Sequence, residues 1–489
     1  MKEDKEKIDQ LYKFLIGTLG YFRPVFSRKK AYINFKRAIK GFLIADEMKA
    51  VTDLVRYVED ENHDGYDKLY ERLIKFFHAS SYSLEGLQDA WRNVIADLNC
   101  FVKVGGYNLL VGDGVKVAKT GRHMVGVKKM HQESESMSKR EYIYGQMYGS
   151  IGILVGDGGS KAFCLPIETT IQDGNAIVES WMDPSYEHES HVVKMMQSAA
   201  RCLKAVGSSI LALDRYFLTK SAVKSLIDTN GLEENVQHKR SLVLVTKTRS
   251  NSVAFEPPPK EEDPHKRGRK KLKGAKVKLY DLFEEKKTEF VEKKMFFYDQ
   301  VQDVRYYCIG LLWSAGLYQP MRFVLVETKK QKCILVSSDT SLEPEQIVIC
   351  YGFRWKIEQM FKDAKQSVGT FSSHFWTPSM PRLDRYRRKG LPDPLAAINN
   401  EDRRKKIISS YEAYGKFTMV GNIAQGLLQL MALKANEIGY ESIKYLRTYT
   451  KKVMSEDSMN FNLRKTIKQG IDLFNDEPIP HLISQTPIS

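Results

Sequence analysis

The sequence predicts an α/β protein, with a mixed-sheet core that a β-rich insertion interrupts and helical N- and C-terminal regions. Three observations carry that prediction. Residues 1–100 repeat apolar side chains at helical spacing. Strand, hairpin and helix patterns alternate between about residue 104 and residue 246. A run of further strand patterns then fills much of 247–340 before a long helical pattern resumes. At 489 residues the chain is too long for one core and divides into several units. Hydrophobic residues make up 42%, enough to build those cores and to exclude global disorder.

The elements follow in order. From Tyr32 to Tyr57, Phe35, Ile39, Phe42 and Leu43 fall on one helical face with basic residues between them. Helices are expected at Tyr66–His78 and Leu84–Leu98, the latter capped by Ser81 or Ser83. Such a basic bundle, 1–100, suits DNA binding; a scaffold with a solvated basic face is the alternative. Tyr107–Gly112 is a short apolar run that ends in Asp113. Tyr148–Val155 and Lys161–Thr170 read as strands, and Gly156-Asp157-Gly158-Gly159 between them reads as a tight turn, the role expected of Asp157. A helix at His191–Val206 precedes the apolar strand Ser209–Leu213, which ends in Asp214. Helix Lys220–Thr229 and strand Leu242–Thr246 complete the first part of the core, 101–246.

Pro257-Pro258-Pro259 opens a charged loop or arm with Lys266, Arg267, Arg269, Lys270, Lys271 and Lys273. Strands at Phe296–Tyr298, Arg305–Trp313, Met321–Glu327 and Cys333–Ser337 make 247–340 a β-rich insertion. Asp339 is expected in a turn or cap. One long helix is predicted from near Glu343 to about Val368, within a second core part at 341–440 that also holds a helix at Tyr411–Leu433. Residues 441–489 read as a helical C-terminal region, a candidate for dimerisation.

Charge narrows the partners. With 76 Lys+Arg against 60 Asp+Glu, the formal charge is +16, which suits a polyanionic partner; a merely basic soluble protein is the alternative that charge alone leaves open. Six cysteines stand too far apart in sequence for a C-x-x-C zinc or redox pair, and scattered thiols fit a reducing compartment. The N-terminus, MKEDKEKIDQ, lacks the apolar core of a signal peptide, and the sequence has no run of eighteen apolar residues. A cytoplasmic location without a membrane partner is expected.

The candidate chemistry lies at Asp113, Asp214 and one helix. Carboxylates at strand ends stand at the rim of a sheet, where neighbouring strands bring them together. Hard divalent cations bind through such oxygens, and two-metal phosphoryl transfer needs a carboxylate cluster around ions roughly 3.5–4 Å apart. On a regular helix, Tyr351, Arg354, Glu358 and Lys365 project within about a 60° arc, with Lys362 at its edge. A solvated polar face gives the same stripe.

Tyr351-Gly-Phe-Arg354-Trp-Lys-Ile-Glu358-Gln-Met-Phe-Lys-Asp-Ala-Lys365 follows the Y-x2-R-x3-E-x6-K pattern without a gap. In this the chain resembles the insertion-sequence-four family of bacterial DDE transposases, which includes the transposon-five enzyme. Asp214-Arg215 after an apolar strand resembles the family's second acidic motif, Asp113 in Leu-Val-Gly-Asp-Gly its first, and Phe371 to Trp376 the stretch after the signature. The resemblance implies an RNase H-like core. The 144 positions from Asp214 to Glu358 (358 − 214 = 144) are too many for that core alone and fit the insertion.

The resemblance further implies that Asp113, Asp214 and Glu358 hold two Mg²⁺ ions, with Mn²⁺ able to substitute, and that Tyr351, Arg354 and Lys365 hold DNA phosphates. Lys362 borders that set. Lys116, Lys119 and Arg122 are expected to touch DNA near the site, and Arg267 and Arg269 to reach a groove. His374 is a candidate late participant, a capping histidine being its more ordinary role. Transposon-five-type enzymes stack a flipped base on a tryptophan in the insertion's last strand. Lys332-Cys333-Ile334-Leu335 has no aromatic there, leaving Trp313 and Phe323 as substitutes. The function implied is cut-and-paste transposition by a nucleoid-associated enzyme. It would bind terminal inverted repeats and target DNA as a homodimer in the synaptic complex. The alternatives are a domesticated DNA-binding protein without catalysis and a nuclease without strand transfer.

Overall fold

Apolar side chains recurring every three to four positions build the N-terminal helices Lys2–Gly20, Lys29–Ile44, Val51–Tyr57, Tyr66–Phe77 and Leu84–Ala96. The computed structural model describes residues 2–45, 47–58, 65–132, 141–156, 161–259, 271–297, 300–329, 331–385, 390–440 and 453–468. Two compact units emerge, one from residues 1–100, 114–191 and 359–489, the other from 101–113 and 192–358. The core expected at 101–246 is thus divided, and the expected insertion shares a unit with both aspartates.

In the first unit Phe35, Ile39, Phe42 and Leu43 are all fully buried. The stretch Tyr32–Tyr57 forms two helices, because Ala45 is extended and the Asp53 carboxylate accepts from the N–H groups of Lys49 and Ala50 to start the second. Ser83 caps Leu84–Ala96, its Oγ accepting from the Gly86 N–H at 2.9 Å. Helix Glu401–Glu437 is buried almost all round through its middle, which marks a helix surrounded by protein. It packs on strand Ala162–Ile171 and on helices Lys29–Ile44 and Leu84–Ala96. Gly426 makes that approach possible, since a Cβ there would lie 2.4 Å from the Trp91 ring. Strand Tyr142–Gly156 pairs antiparallel with Ala162–Ile171 and with Lys128–His131. The buried pair Arg92–Glu168, at 3.1 Å, ties helix to strand. Losing one partner there costs about 3–5 kcal/mol, because the other stays buried and charged. Asp157 lies outside the described residues. Helix Glu456–Lys468 represents the C-terminal region, where 441–452 and 469–489 lie outside them.

In the second unit the strand Tyr107–Ala118, through its residues Asn108–Val111, pairs parallel with Ser209–Ala212. Ser209–Ala212 pairs parallel in turn with Leu242–Lys247. These strands are apolar on both faces, as parallel strands covered on both sides must be. Helix Lys220–Gly231, capped by Thr219, connects the last two. Lys332–Ser337 pairs antiparallel with Leu242–Lys247 and with Gln319–Glu327. Gln319–Glu327 pairs with Gln300–Trp313, which pairs with Val291–Phe297 and Val253–Phe255. The stretch after 247 is therefore β-rich and extends the parallel strands into a mixed sheet. Arg267 and Arg269 lie outside the described residues.

The long helix expected from Glu343 to Val368 is four segments: α-helix Pro344–Gly352, a 3₁₀ turn Phe353–Trp355, α-helix Lys356–Asp363 and a π turn Ala364–Val368. Hydrogen-bond spacing tightens at 353–355 and loosens at 364–368, so the uniform 100° step behind the expected stripe does not hold. Gly369 ends the run with φ 77°, packed so closely on Met48 that a Cβ would clash.

Candidate active site

The parallel ladder sets the two aspartates side by side. Asn108 pairs with Ser209, an offset of 101, and Asp214 follows Asp113 by the same offset (209 − 108 = 214 − 113 = 101). Leu213 keeps the register beyond the strand end, donating its N–H to the Val245 carbonyl at 3.0 Å. Asp214 then turns the chain, its Oδ1 accepting from the Arg215 N–H to cap the 3₁₀ turn Arg215–Phe217. The Asp214 carbonyl accepts from Thr246 Oγ1 at 3.0 Å. Both residues are half-buried just past the last parallel pair, Val111 with Ala212, the end at which open α/β sheets bind ligands; the strand carrying Asp113 does not end there as expected but runs on to Ala118.

Arg354 joins the carboxylates to the helix. Its Nη1 donates to Asp113 Oδ2 at 3.1 Å and its Nη2 to Glu358 Oε1 at 2.5 Å. Burial works against the guanidinium charge, but Asp113, Tyr351, Glu358 and Asp214 together hold its pKa above the ordinary value. Five predicted site residues thus act on one another within one unit. Glu358 keeps 58% of its side chain exposed. Among the described residues no group of three or more His, Cys, Asp or Glu side chains is placed to hold a metal ion. Asp113 and Glu358 converge on the guanidinium instead. The three carboxylates supply the oxygen donors that suit Mg²⁺ or Mn²⁺, while the guanidinium that two of them hold opposes a cation.

The remaining candidates divide. Arg354, expected on DNA phosphate, is engaged by carboxylates. Tyr351, expected beside it, is 4% exposed. Lys362 and Lys365 are exposed, and Lys365 Nζ donates to the Lys116 carbonyl at 3.5 Å. Lys116 Nζ donates to the His131 carbonyl at 2.7 Å, and Arg122 is exposed. Lys119 departs from the expectation of a DNA-facing residue: it is 3% exposed and donates to the Phe371 and Ser373 carbonyls at 2.7 and 2.6 Å. Burial pushes its pKa down to about 7. His374 is exposed as a residue, and partial desolvation of its ring together with the nearby Lys119 charge lowers its pKa. Trp313 and Phe323 are buried, so neither presents a face for a base. Asp339 shapes a turn as expected, its Oδ1 accepting from Ser341 N and Oγ, while its Oδ2 accepts from the Tyr107 hydroxyl.

Two groupings escaped sequence reasoning. Lys129, His131, Tyr142 and Tyr144 share one face of a hairpin; their period-2 alternation was the available signal. Asp363 and Glu456 are both buried, 93 residues apart (456 − 363 = 93), with no sequence sign that they meet. No helix among the described residues is long and apolar enough to cross a membrane. No protein-family model matches the chain, and no curated protein matches it significantly.

Proposed function

We propose that the chain is a metal-dependent DNA transposase of the insertion-sequence-four type, with an RNase H-like core around Asp113, Asp214 and Glu358. The observation that carries the reading is that Asp113 and Asp214 each follow the paired parallel residues by the same number of positions, with Glu358 joined to Asp113 through Arg354. Signature spacing selects Glu358 and strand register sets Asp113 level with Asp214, and Arg354 links the two sets.

Asp113, Asp214 and Glu358 would hold two Mg²⁺ ions, or Mn²⁺. When bound, these would supply the charge that activates water or a 3′-hydroxyl and steadies the leaving oxygen. The chain's own groups orient the reaction. Arg354 occupies Asp113 and Glu358 and, always protonated, would offer its fork to a phosphate when a carboxylate turns to the metal. Lys362, Lys365, Lys116 and Arg122 add positive charge for the backbone of inverted-repeat and target DNA. Synapsis of two ends calls for a homodimer.

Glu358→Gln tests the reading. Metal-dependent cleavage of end-bearing DNA should fall by about a thousand-fold or more, while end binding in EDTA persists. Retained cleavage would sink the assignment. One observation favours a second reading, a DNA-binding protein without catalysis: Arg354 neutralises two of the three carboxylates. Absence of Mn²⁺ binding to the wild-type protein would select it. A nuclease without joining is distinguished by strand transfer of pre-cleaved ends.

A further inference from the structure

We propose that the face bearing Lys129, His131, Tyr142 and Tyr144 is a stacking platform for unpaired nucleotides of a DNA strand. The proposal rests on the reading of the chain as a DNA-processing enzyme and names the form of DNA held.

Strand Lys128–His131 pairs antiparallel with the start of Tyr142–Gly156, so that Lys129 stands opposite Tyr144 and His131 opposite Tyr142. Directly opposed residues and their i+2 neighbours point to the same side of a sheet. The four side chains therefore form one surface of two cations or potential cations and two aromatic rings. The Lys129 ammonium lies 4.2 Å from the centroid of the Tyr142 ring. The His131 ring meets the same ring edge-on at 5.3 Å. Arg385 stands over Tyr144 at 5.4 Å. Tyr142 is 44% exposed, a large exposure for a ring on a paired strand.

The surrounding charge fits a polyanion. Lys116 anchors to the His131 carbonyl, which brings one more ammonium group to the hairpin, and Lys365 reaches the Lys116 carbonyl on strand Tyr107–Ala118. Arg122 and Arg385 both oppose the rise that burial imposes on the Tyr144 pKa. Two carboxylates face the surface: Glu141, 3.8 Å from His131 and acting on Tyr142, and Asp384, acting on Tyr144. The cations outnumber them.

Cations alone would serve duplex DNA, whose outer surface is phosphate. Exposed rings add nothing there, because paired bases keep their faces in the stack. Rings flanked by cations match a strand whose bases are free: the bases stack on the rings while the backbone follows the charge. Lys129 lies over one face of Tyr142, and the ring still keeps 44% of its surface exposed.

The test uses the full-length protein in EDTA, so that it needs neither metal nor cleavage. Affinities are measured for a single-stranded oligonucleotide carrying 2-aminopurine and for the matching duplex. Tyr142→Ala should weaken single-strand binding about ten-fold and remove the quenching of 2-aminopurine that stacking produces, with duplex affinity held within about two-fold. Tyr142→Phe should keep both affinity and quenching. Unchanged single-strand binding in Tyr142→Ala, or an equal loss on duplex, overturns the platform while leaving the DNA reading intact. A wild-type protein that binds neither oligonucleotide overturns the DNA reading and the platform with it.

Discussion

Arg354 in one unit and Lys119 in the other are both cations drawn out of water, and their surroundings answer them differently. Arg354 meets Asp113 and Glu358 directly and Asp214 through the field, and its charge is reinforced. Lys119 meets two carbonyl oxygens and, at 5.8 Å, the Tyr414 ring, and its pKa falls to about 7. Dipoles and a ring face do not repay the loss of hydration as a carboxylate does. The first residue is thus a permanent charge at the carboxylates. The second is a peg between the end of one strand and the stretch 371–373, and it sits near neutrality. Both are expected on DNA from the sequence; burial withdraws both, and the presence or absence of carboxylate partners separates them.

The largest effect should come from removing the peg. Lys119→Met leaves two buried carbonyls without a donor and should lower stability by about 2 kcal/mol at pH 8, read by denaturant unfolding. Unchanged stability would mean the carbonyls find other donors. The pH dependence sharpens the point. The folded-state pKa of about 7 lies below the ordinary 10.5, so between these values the unfolded chain binds a proton that the folded chain does not. Lys119 therefore makes stability rise with pH through that window, and the variant should lose this slope.

Next is Arg354→Ala. Without the guanidinium, Asp113 and Glu358 lose their shared cation, and Mn²⁺ binding followed by electron paramagnetic resonance should tighten on the order of ten-fold, about 1.4 kcal/mol. Equal or weaker binding would break the contrast, since Arg354 would then be arranging the carboxylates for metal and not competing with it.

The smallest effect belongs to a carboxylate placed as Lys119 is, without an adequate counter-charge. Burial raises the Asp363 pKa to about 7, with Glu456 and Asp457 adding to the rise and the Gln359 hydrogen bonds and Lys362 opposing it. A raised folded-state pKa gives stability that is complete below the ordinary 3.8 and is lost as pH climbs through about 7. Asp363→Asn should stabilise the protein by about 1 kcal/mol at pH 8 and by clearly less at pH 5, where only the first part of the loss has accrued. Equal effects at both values would mean Asp363 does not titrate there.

Local chemistry was legible in the sequence where one element decided the outcome. Ser83 caps because its oxygen needs only the N–H three residues on. Phe35, Ile39, Phe42 and Leu43 share a buried face because helical period alone aligns them. Asp113 and Asp214 stand out by the apolar runs before them, and the parallel register sets those runs side by side. The break at 353–355 and the π turn at 364–368 were not legible, because residue pattern reports periodicity and not which carbonyl each N–H chooses. Lys119 was misjudged because the carbonyls that receive it are more than 250 positions away. Trp313 and Phe323 look like available rings until the paired strands bury them.

The parallel register has a consequence for how this sequence can change length. The chain between the two aspartate strands can gain or lose residues in its connections without moving either carboxylate, because the ladder and not the contour between them fixes their level. One residue inserted between Asn108 and Asp113 is different: side chains alternate across a strand, so the insertion would turn Asp113 to the opposite face while leaving the composition of the site untouched. Tolerance to insertion should therefore fall abruptly within those few positions, a boundary that scanning single-residue insertions along 100–120 would trace.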